Sequence, residues 1–559
     1  MIKSAELTPD VALERYRHLM VIEQNVLQFL AILVESTHRT HLANGLRDAG
    51  IKGEAGKPLS TQALIPILHR LSSLGLVSTD YTSNQQFRCE AVIAFHATRS
   101  AILAKRFDPI VVSVRKHFPL IEPYYSYSKR MVSVARGLRE LRSAVFAQDT
   151  PKIDFLLEAC REQFPHEMAA SRPWSWICDT PFDQAWFMQL PPAIQLQALN
   201  EIVPDRLMRL ESVTDLRQVL GERLKNPDPL LAPHLRKQWI TILLFQGEIP
   251  EARALLASGD AIEDRLALQG WSEFLRGEND AAIRAFEERM RPAKKIIDKR
   301  QVVLIEPSGL FYLLALLKSG DPGHRARFIE LLDLAYKKPL IPIRIPGFRA
   351  FEALLMAWQN KVSDALLRVK DEPQQTIMSE SPWSVASGGL IQISAMRRLF
   401  NVVARYWIDP AQARQSVQSV RTLCELALRH GHPWAAMEAA SLVAALDPGA
   451  TELARLAETL QQTCGMQSLL PIISHEEGWE RALKALIQVG VDKPGKGETR
   501  GGSRLVWMIN LEDLSLGTIQ PKEQTRSASG NWSKGRPVAL KRLFQNQESP
   551  DFRWCLTLT

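Results

Sequence analysis

The sequence predicts a mainly α-helical chain divided among several packing units, and three observations carry that expectation. Apolar residues recur at i, i+3 and i+4 through most of the chain, the period of helices that each bury one face. A Gly-Glu turn followed by alanine recurs in the middle, with Gly247 and Gly277, and Ala252 and Ala282, each 30 residues apart. Runs of strand-forming residues are confined to two places, residues 76–95 and 504–519. At 559 residues, 46% of them hydrophobic, the chain can build roughly three to five cores, because a single core rarely grows past about 250–300 residues.

Residues 1–105 read as a unit of their own. Ile22–Val34 carries apolar residues at 22, 26, 27, 29, 30, 33 and 34, which predicts a helix with a broad buried face. Thr40–Ala49, with Leu42 and Leu46, predicts a second. After a Gly/Lys/Pro loop, Ser60 or Thr61 caps a third helix through Leu74, whose Leu64, Ile67, Leu68, Leu71 and Leu74 keep helical spacing. Pro66 falls inside that helix, where it removes a hydrogen bond and bends or shortens it. Leu76–Tyr81 and Phe87–Phe95, on either side of a polar turn, predict a two-stranded hairpin.

Three helices and a hairpin in that order describe a winged helix-turn-helix, whose third helix enters the DNA major groove while the hairpin touches backbone. The exposed candidates are Thr61, Gln62, His69 and Arg70 on the helix, and Asn84, Gln85, Gln86 and Arg88 on the wing. Gln and Arg have the donor geometry to read base edges. The helix is not strongly basic, so a wing that docks protein stays open as the competing reading.

Residues 106–204 read as a helical connecting region. Its Trp174, Trp176 and Trp186 are expected in a core, because large aromatics dominate buried area. Residues 205–490 read as a solenoid of helical hairpins. Glycine permits a tight turn between antiparallel helices, and alanine lets the next helix approach closely. Looser echoes follow at Gly320 with Ala326, and at Gly431 with Ala436, Ala439 and Ala440. The pattern resembles tetratricopeptide-type repeats, which implies either a concave surface for a protein partner or a spacer. The run Arg289–Arg300 holds six basic residues and one acid, and reads as a solvated face.

A Pro/Gly/Lys linker at 491–503 leads to a strand-rich basic module at 504–559. Arg504–Leu511 and Leu514–Ile519 predict a hairpin. From Pro521 to Arg542 there are six Lys or Arg against one acid, with Trp532 among them. Cations at this density neutralise phosphates, and an indole face stacks on a base, so Arg526, Trp532, Lys534, Arg536, Lys541 and Arg542 are the candidate polyanion contacts. The overall charge of +8, from 69 basic and 61 acidic residues, suits nucleic acid without requiring it.

The segments Arg504–Leu511 and Trp532–Leu543, with the leucine-rich Gly309–Leu317 and its following Lys-Ser-Gly-Asp-Pro, resemble the region just upstream of the ATPase motor in bacterial Swi/Snf-related helicase-like proteins. The resemblance implies double-stranded DNA as a partner and an ATPase motor acting in cis or in trans. After Phe544 these residues supply no nucleotide-binding strand and loop.

Catalytic patterns are not visible. The nearest approach to a phosphate-binding loop, Gly490–Gly497, has glycine where a hydroxyl must hold magnesium, and a strand-like run where a helix must follow. The twelve histidines are scattered, His38/His41 and His430/His432 being the nearest pairs, and the six cysteines form no Cys-x-x-Cys. No cofactor or metal is expected. With no secretory leader and no run of about 18 apolar residues, the expected setting is the reducing cytoplasm without membrane contact. Two functions lead, a non-catalytic accessory region of a DNA translocase and a stand-alone transcription regulator with a helical interaction domain, and an enzyme of unrecognised type stays open as a third.

Overall fold

The computed structural model describes residues 8–53, 56–80, 85–121, 130–296, 304, 307–337, 347–359, 361–370, 394–469, 506–510, 515–519 and 553–557. These residues are mainly helical. They divide into two compact units, one holding Met1–Asp205 and Thr214–Leu231, the other Arg206–Val213, Ala232–Pro373 and Ile393–Thr559.

The first unit opens with α1 (Pro9–Arg17), α2 (Val21–Leu33), the short β1 (Thr37–His38), α3 (Arg39–Asp48), α4 (Leu64–Ser73), β2 (Val77–Asp80) and β3 (Gln86–Cys89). β3 is the middle strand, antiparallel to both neighbours, with Thr37 opposite Phe87 and Val77 opposite Cys89. Phe87 and Cys89 point inward while Gln86 and Arg88 are half-buried, the alternation a strand imposes. α2 is the centre of this core, with Val26, Leu27, Phe29 and Leu30 fully buried. α3 crosses it at Gly45, where a Cβ would stand 2.4 Å from the Phe29 ring.

Two sequence expectations are corrected here. Residues 91–95 do not continue the returning strand; they open α5 (Ala91–Leu103), in which Ile93, Ala97 and Ala101 recur at i, i+4 and i+8 and are buried. Pro66 does not bend its helix. α4 starts only at Leu64, so Pro66 sits in its first turn, where no backbone N–H has an intrahelical acceptor.

Next come α6 (Phe107–His117), α7 (Val134–Phe146) and α8 (Thr150–Gln163). Ser133 and Asp149 cap α7 and α8 through the amides of Arg136 and Lys152, contributing about 1 kcal/mol each. α7 carries three arginines on its buried side. Arg139 reaches Glu35 at 2.8 Å, Glu140 at 3.2 Å and the Phe118 carbonyl at 2.7 Å, while Arg136 holds the other Glu35 oxygen at 3.2 Å. Arg142 donates to the carbonyls of Ala31 and Ala94 at 2.6 and 3.0 Å, and to the Thr98 hydroxyl at 2.9 Å. Burial pushes its guanidinium down to about 10, still protonated at neutral pH. Trp174 and Trp186 are core residues, as the sequence implied, whereas Trp176 is half-buried, its ring under the Arg142 guanidinium at 5.4 Å. Trp186 stacks on Phe146 with centroids 5.0 Å apart and meets Phe95 edge-on at 5.1 Å.

The second unit is a succession of helix pairs, among them Ala232–Phe245 with Ile249–Ala257, Arg265–Leu275 with Asn279–Ile296, Pro307–Lys318 with Pro322–Tyr336, and Val417–Arg429 with Pro433–Leu446. Gly247 and Gly277 turn between partners at φ +71 and +83, a conformation open to glycine without strain. The core joins helices far apart in sequence. Trp271 stacks on Phe311 at 4.4 Å, Trp434 meets Phe311 at 5.2 Å, and Phe245 meets Trp271 at 5.0 Å. His430 and His432 bond the Leu210 and Glu211 carbonyls, each at 2.7 Å, so this pair serves as a clamp on backbone. Burial lowers the His432 pKa.

Near the C-terminus β4 (Val506–Asn510) and β5 (Ser515–Ile519) form the expected antiparallel hairpin, with Asn510 opposite Ser515. A third strand without a strong sequence signal, β6 (Arg553–Thr557), pairs antiparallel on the other side of β4. The linker 491–503, the loop-like Gly490–Gly497 and residues 520–552 lie outside the described residues.

Candidate nucleic-acid interface

The candidate face of the first unit is the outer side of α4 and the turn that feeds it. Leu64, Leu68 and Leu71 are buried on one side, which leaves Ile65, His69 and Arg70 on the other. The Ser60 hydroxyl accepts the Ala63 amide at 3.1 Å, and this turn presents Gln62 exposed at the start of the helix. The far end of α4 is tied down by Arg15, which donates to the Leu74 carbonyl at 2.6 Å.

The predicted contacts of this unit do not share one fate. Gln62 and His69 are exposed on the outer side of α4 and its lead-in turn. Arg70 is 48% exposed, but its guanidinium lies 3.2 Å from Glu23, whose side chain is only 1% exposed. Glu23 in turn accepts the Met20 amide at 2.9 Å, so Arg70 works partly inward, holding the start of α2. Arg88 is half-buried on β3, and loss of water lowers its pKa. Gln86 beside it is within 3.3 Å of the His38 ring. Asn84, Arg526, Trp532, Lys534, Arg536, Lys541 and Arg542 lie outside the described residues.

Sequence reasoning concentrated on the third helix and passed over other cations. Lys52 and Lys57 are exposed on the loop before α4, held by a bridge between Lys52 and Pro58 and by the Gly53 amide on the Lys57 carbonyl at 2.9 Å. Arg47 and His41 are exposed on α3. The available signal was the charge of residues 39–70 as a whole, five Lys or Arg against Asp48 and Glu54. The charge of Asp48 is itself offset. Lys116 at 2.6 Å and His117 at 2.8 Å hold its carboxyl below the usual range.

Arg289, from the basic run of the second unit, pairs with Asp264, which also takes Lys237 at 3.2 Å. Among the described residues no group of three His, Cys, Asp or Glu is placed to hold a metal ion. Cys89, Cys160, Cys178, Cys424 and Cys464 are free thiols. Among the described residues no helix is long and apolar enough to cross a membrane. The arrangement can bind an anionic surface with an array of donors. No family model, curated protein or solved structure matches this chain.

Proposed function

We propose that this chain is a non-catalytic DNA-binding and protein-docking accessory region of a Swi/Snf-type DNA translocase. It positions duplex DNA and partners for an ATPase motor supplied in cis or in trans, in the cytoplasm. The first unit acts as a winged helix-turn-helix. The observation that carries this is the order helix, short strand, two helices and two strands, with β3 between β1 and β2, and with Gln62, His69, Lys52 and Lys57 exposed around the start and outer face of α4. The helix pairs of the second unit act as a tetratricopeptide-like scaffold that docks a protein partner, in keeping with their glycine turns. The basic stretch around Lys534, Arg536, Lys541 and Arg542 adds electrostatic capture.

Fluorescence anisotropy with a random-sequence duplex across a salt series tests this reading. Binding whose affinity falls steeply with salt supports it; no binding in dilute buffer removes it. One observation favours a stand-alone regulator instead: the outer face of α4 carries Ile65 and His69 with Arg70 as its one Lys or Arg, a mixed rather than strongly basic surface, which suits base reading. Preference for one operator over random duplex of about 10³-fold or more would select that alternative.

A further inference from the structure

The helix Thr451–Cys464 ends on Gly465 at φ +62, which turns the chain out of the helix, with the Met466 amide bonding back to the Gln461 carbonyl at 3.2 Å. Met466 and Leu469 then sink to 2% and 1% exposure, with Gln467 between them exposed. Three successive backbone groups of this segment are satisfied by three different helices. The Gln467 amide donates to the Leu275 carbonyl at 2.8 Å. The Lys318 ammonium donates to the Ser468 carbonyl. The Leu469 amide donates to Glu438 at 2.9 Å, and the Ser468 hydroxyl donates to the same carboxylate at 3.0 Å.

Glu438 is a buried acid that faces the charge of Lys318 and takes its hydrogen bonds from this segment. It is 1% exposed and is the one ionisable residue in the helix Pro433–Leu446, which is otherwise almost wholly alanine and large apolar residues. A buried carboxylate costs several kcal/mol unless its oxygens are bonded, and its hydrogen-bond donors here, Ser468 and Leu469, come from this segment. Gly277 adds a second sign of a seat shaped for a strand of chain. A Cβ there would stand 2.1 Å from the Gln467 side chain. Bonds directed at backbone, flanked by buried apolar side chains such as Met466 and Leu469, are the recognition mode of extended-peptide sites.

We propose that the cleft formed by Leu275, Lys318 and Glu438 is an extended-peptide docking site, occupied in cis by Met466–Leu469, so that a partner carrying an apolar-polar-Ser-Leu segment docks by displacing it. This deepens the docking role proposed for the helix pairs and is independent of DNA binding. The internal segment competes at high effective concentration, so the site is closed until a partner outcompetes it.

The test uses the full chain and a fluorescein-labelled peptide Gly-Met-Gln-Ser-Leu-Leu, the sequence of residues 465–470. The double variant Met466→Asp, Leu469→Asp should bind the peptide at least about tenfold more tightly than the unaltered protein, an opening of about 1.4 kcal/mol. Adding Glu438→Ala should return binding to baseline. Equal, absent or Glu438-independent binding by a folded double variant overturns the proposal. Should that variant not fold, hydrogen exchange on the unaltered protein decides. Millimolar peptide should speed exchange of the Gln467 and Leu469 amides several-fold while the helix Pro433–Leu446 stays protected, and unchanged exchange overturns the proposal. Duplex binding measured on the same preparation reports on the DNA reading separately, and salt-dependent binding to other faces of the helix pairs would leave the docking role standing without this cleft.

Discussion

Arg70 lies 3.2 Å from Glu23, and that pairing gives a candidate DNA-binding residue a second task inside the fold. Removing the guanidinium would leave a buried carboxylate with the Met20 amide as its remaining donor here. Arg70→Ala is therefore expected to destabilise the first unit by about 1–3 kcal/mol, because uncompensated burial outweighs the half-exposed pair's own modest worth. Urea unfolding followed by tryptophan fluorescence measures it. A change under about 0.5 kcal/mol would mean that the pair is idle.

Gln62 and His69 should behave differently from Lys52 and Lys57. Gln62→Ala and His69→Ala are each expected to cut discrimination between duplex sequences by about 1–3 kcal/mol, the worth of reading one base edge, with the salt slope unchanged. Lys52→Ala and Lys57→Ala should weaken all duplexes alike and lower the slope by about 1 each. Replacing Lys534, Arg536, Lys541 and Arg542 together by Ala should also act uniformly. Anisotropy with two unrelated duplexes at several salt concentrations separates these behaviours.

Glu201 and Glu438 predict a direction for pH dependence. Burial pushes both carboxyls up to about 7, above the ordinary 4.5. The folded chain then holds protons that the unfolded chain has released. Stability from this source is full below about pH 4.5 and is lost as pH rises through about 7, at up to about 1.4 kcal/mol per pH unit for each group. Thermal midpoints between pH 5 and pH 8 should fall, and Glu201→Gln should flatten part of that fall. A midpoint that rises over the same range would contradict the assignment.

Gly45→Ala sets two effects against each other. Alanine is worth about 1 kcal/mol more than glycine inside a helix. The new methyl, however, would meet the fully buried Phe29 ring at 2.4 Å, and overpacking of this kind costs about 1–3 kcal/mol. Net destabilisation is expected, read as a lower urea midpoint. A stabilised variant would show that α2 and α3 can move apart at little cost.

The local elements of the first unit were legible because each depends on neighbours in sequence. α2, α3 and α4 follow from apolar spacing, and their observed bounds shift by only a few residues from those expected. What misled was chemistry that periodicity does not weigh. Ile93 and Phe95 are good strand formers, yet burial against α2 favoured helix. Pro66 looked like a breaker until the true start of α4 placed it in the first turn. β1 and β6 are too short or too ordinary in composition to stand out, and exist through pairing with distant partners. The inward work of Arg70 was invisible for the same reason: Glu23 is remote in sequence and its burial is a property of the fold. The glycine turns at 247 and 277 were readable, but the Met466–Leu469 segment seated beside Gly277 was not.

Arg142 sets a limit on how this protein can be dissected. Its guanidinium is plugged into the carbonyls of Ala31 and Ala94, one on α2 and one on α5, with Thr98 as a third socket. A fragment cut after Lys105 would keep the sockets and lose the plug, and would strand Glu35 without Arg136 and Arg139. The smallest independent piece carrying α4 must therefore include α7. Two guanidinium contacts in series, Arg70 on Glu23 and Arg142 on the Ala31 carbonyl, join α4 to α7 by way of α2, so displacing α2 would be felt at both helices.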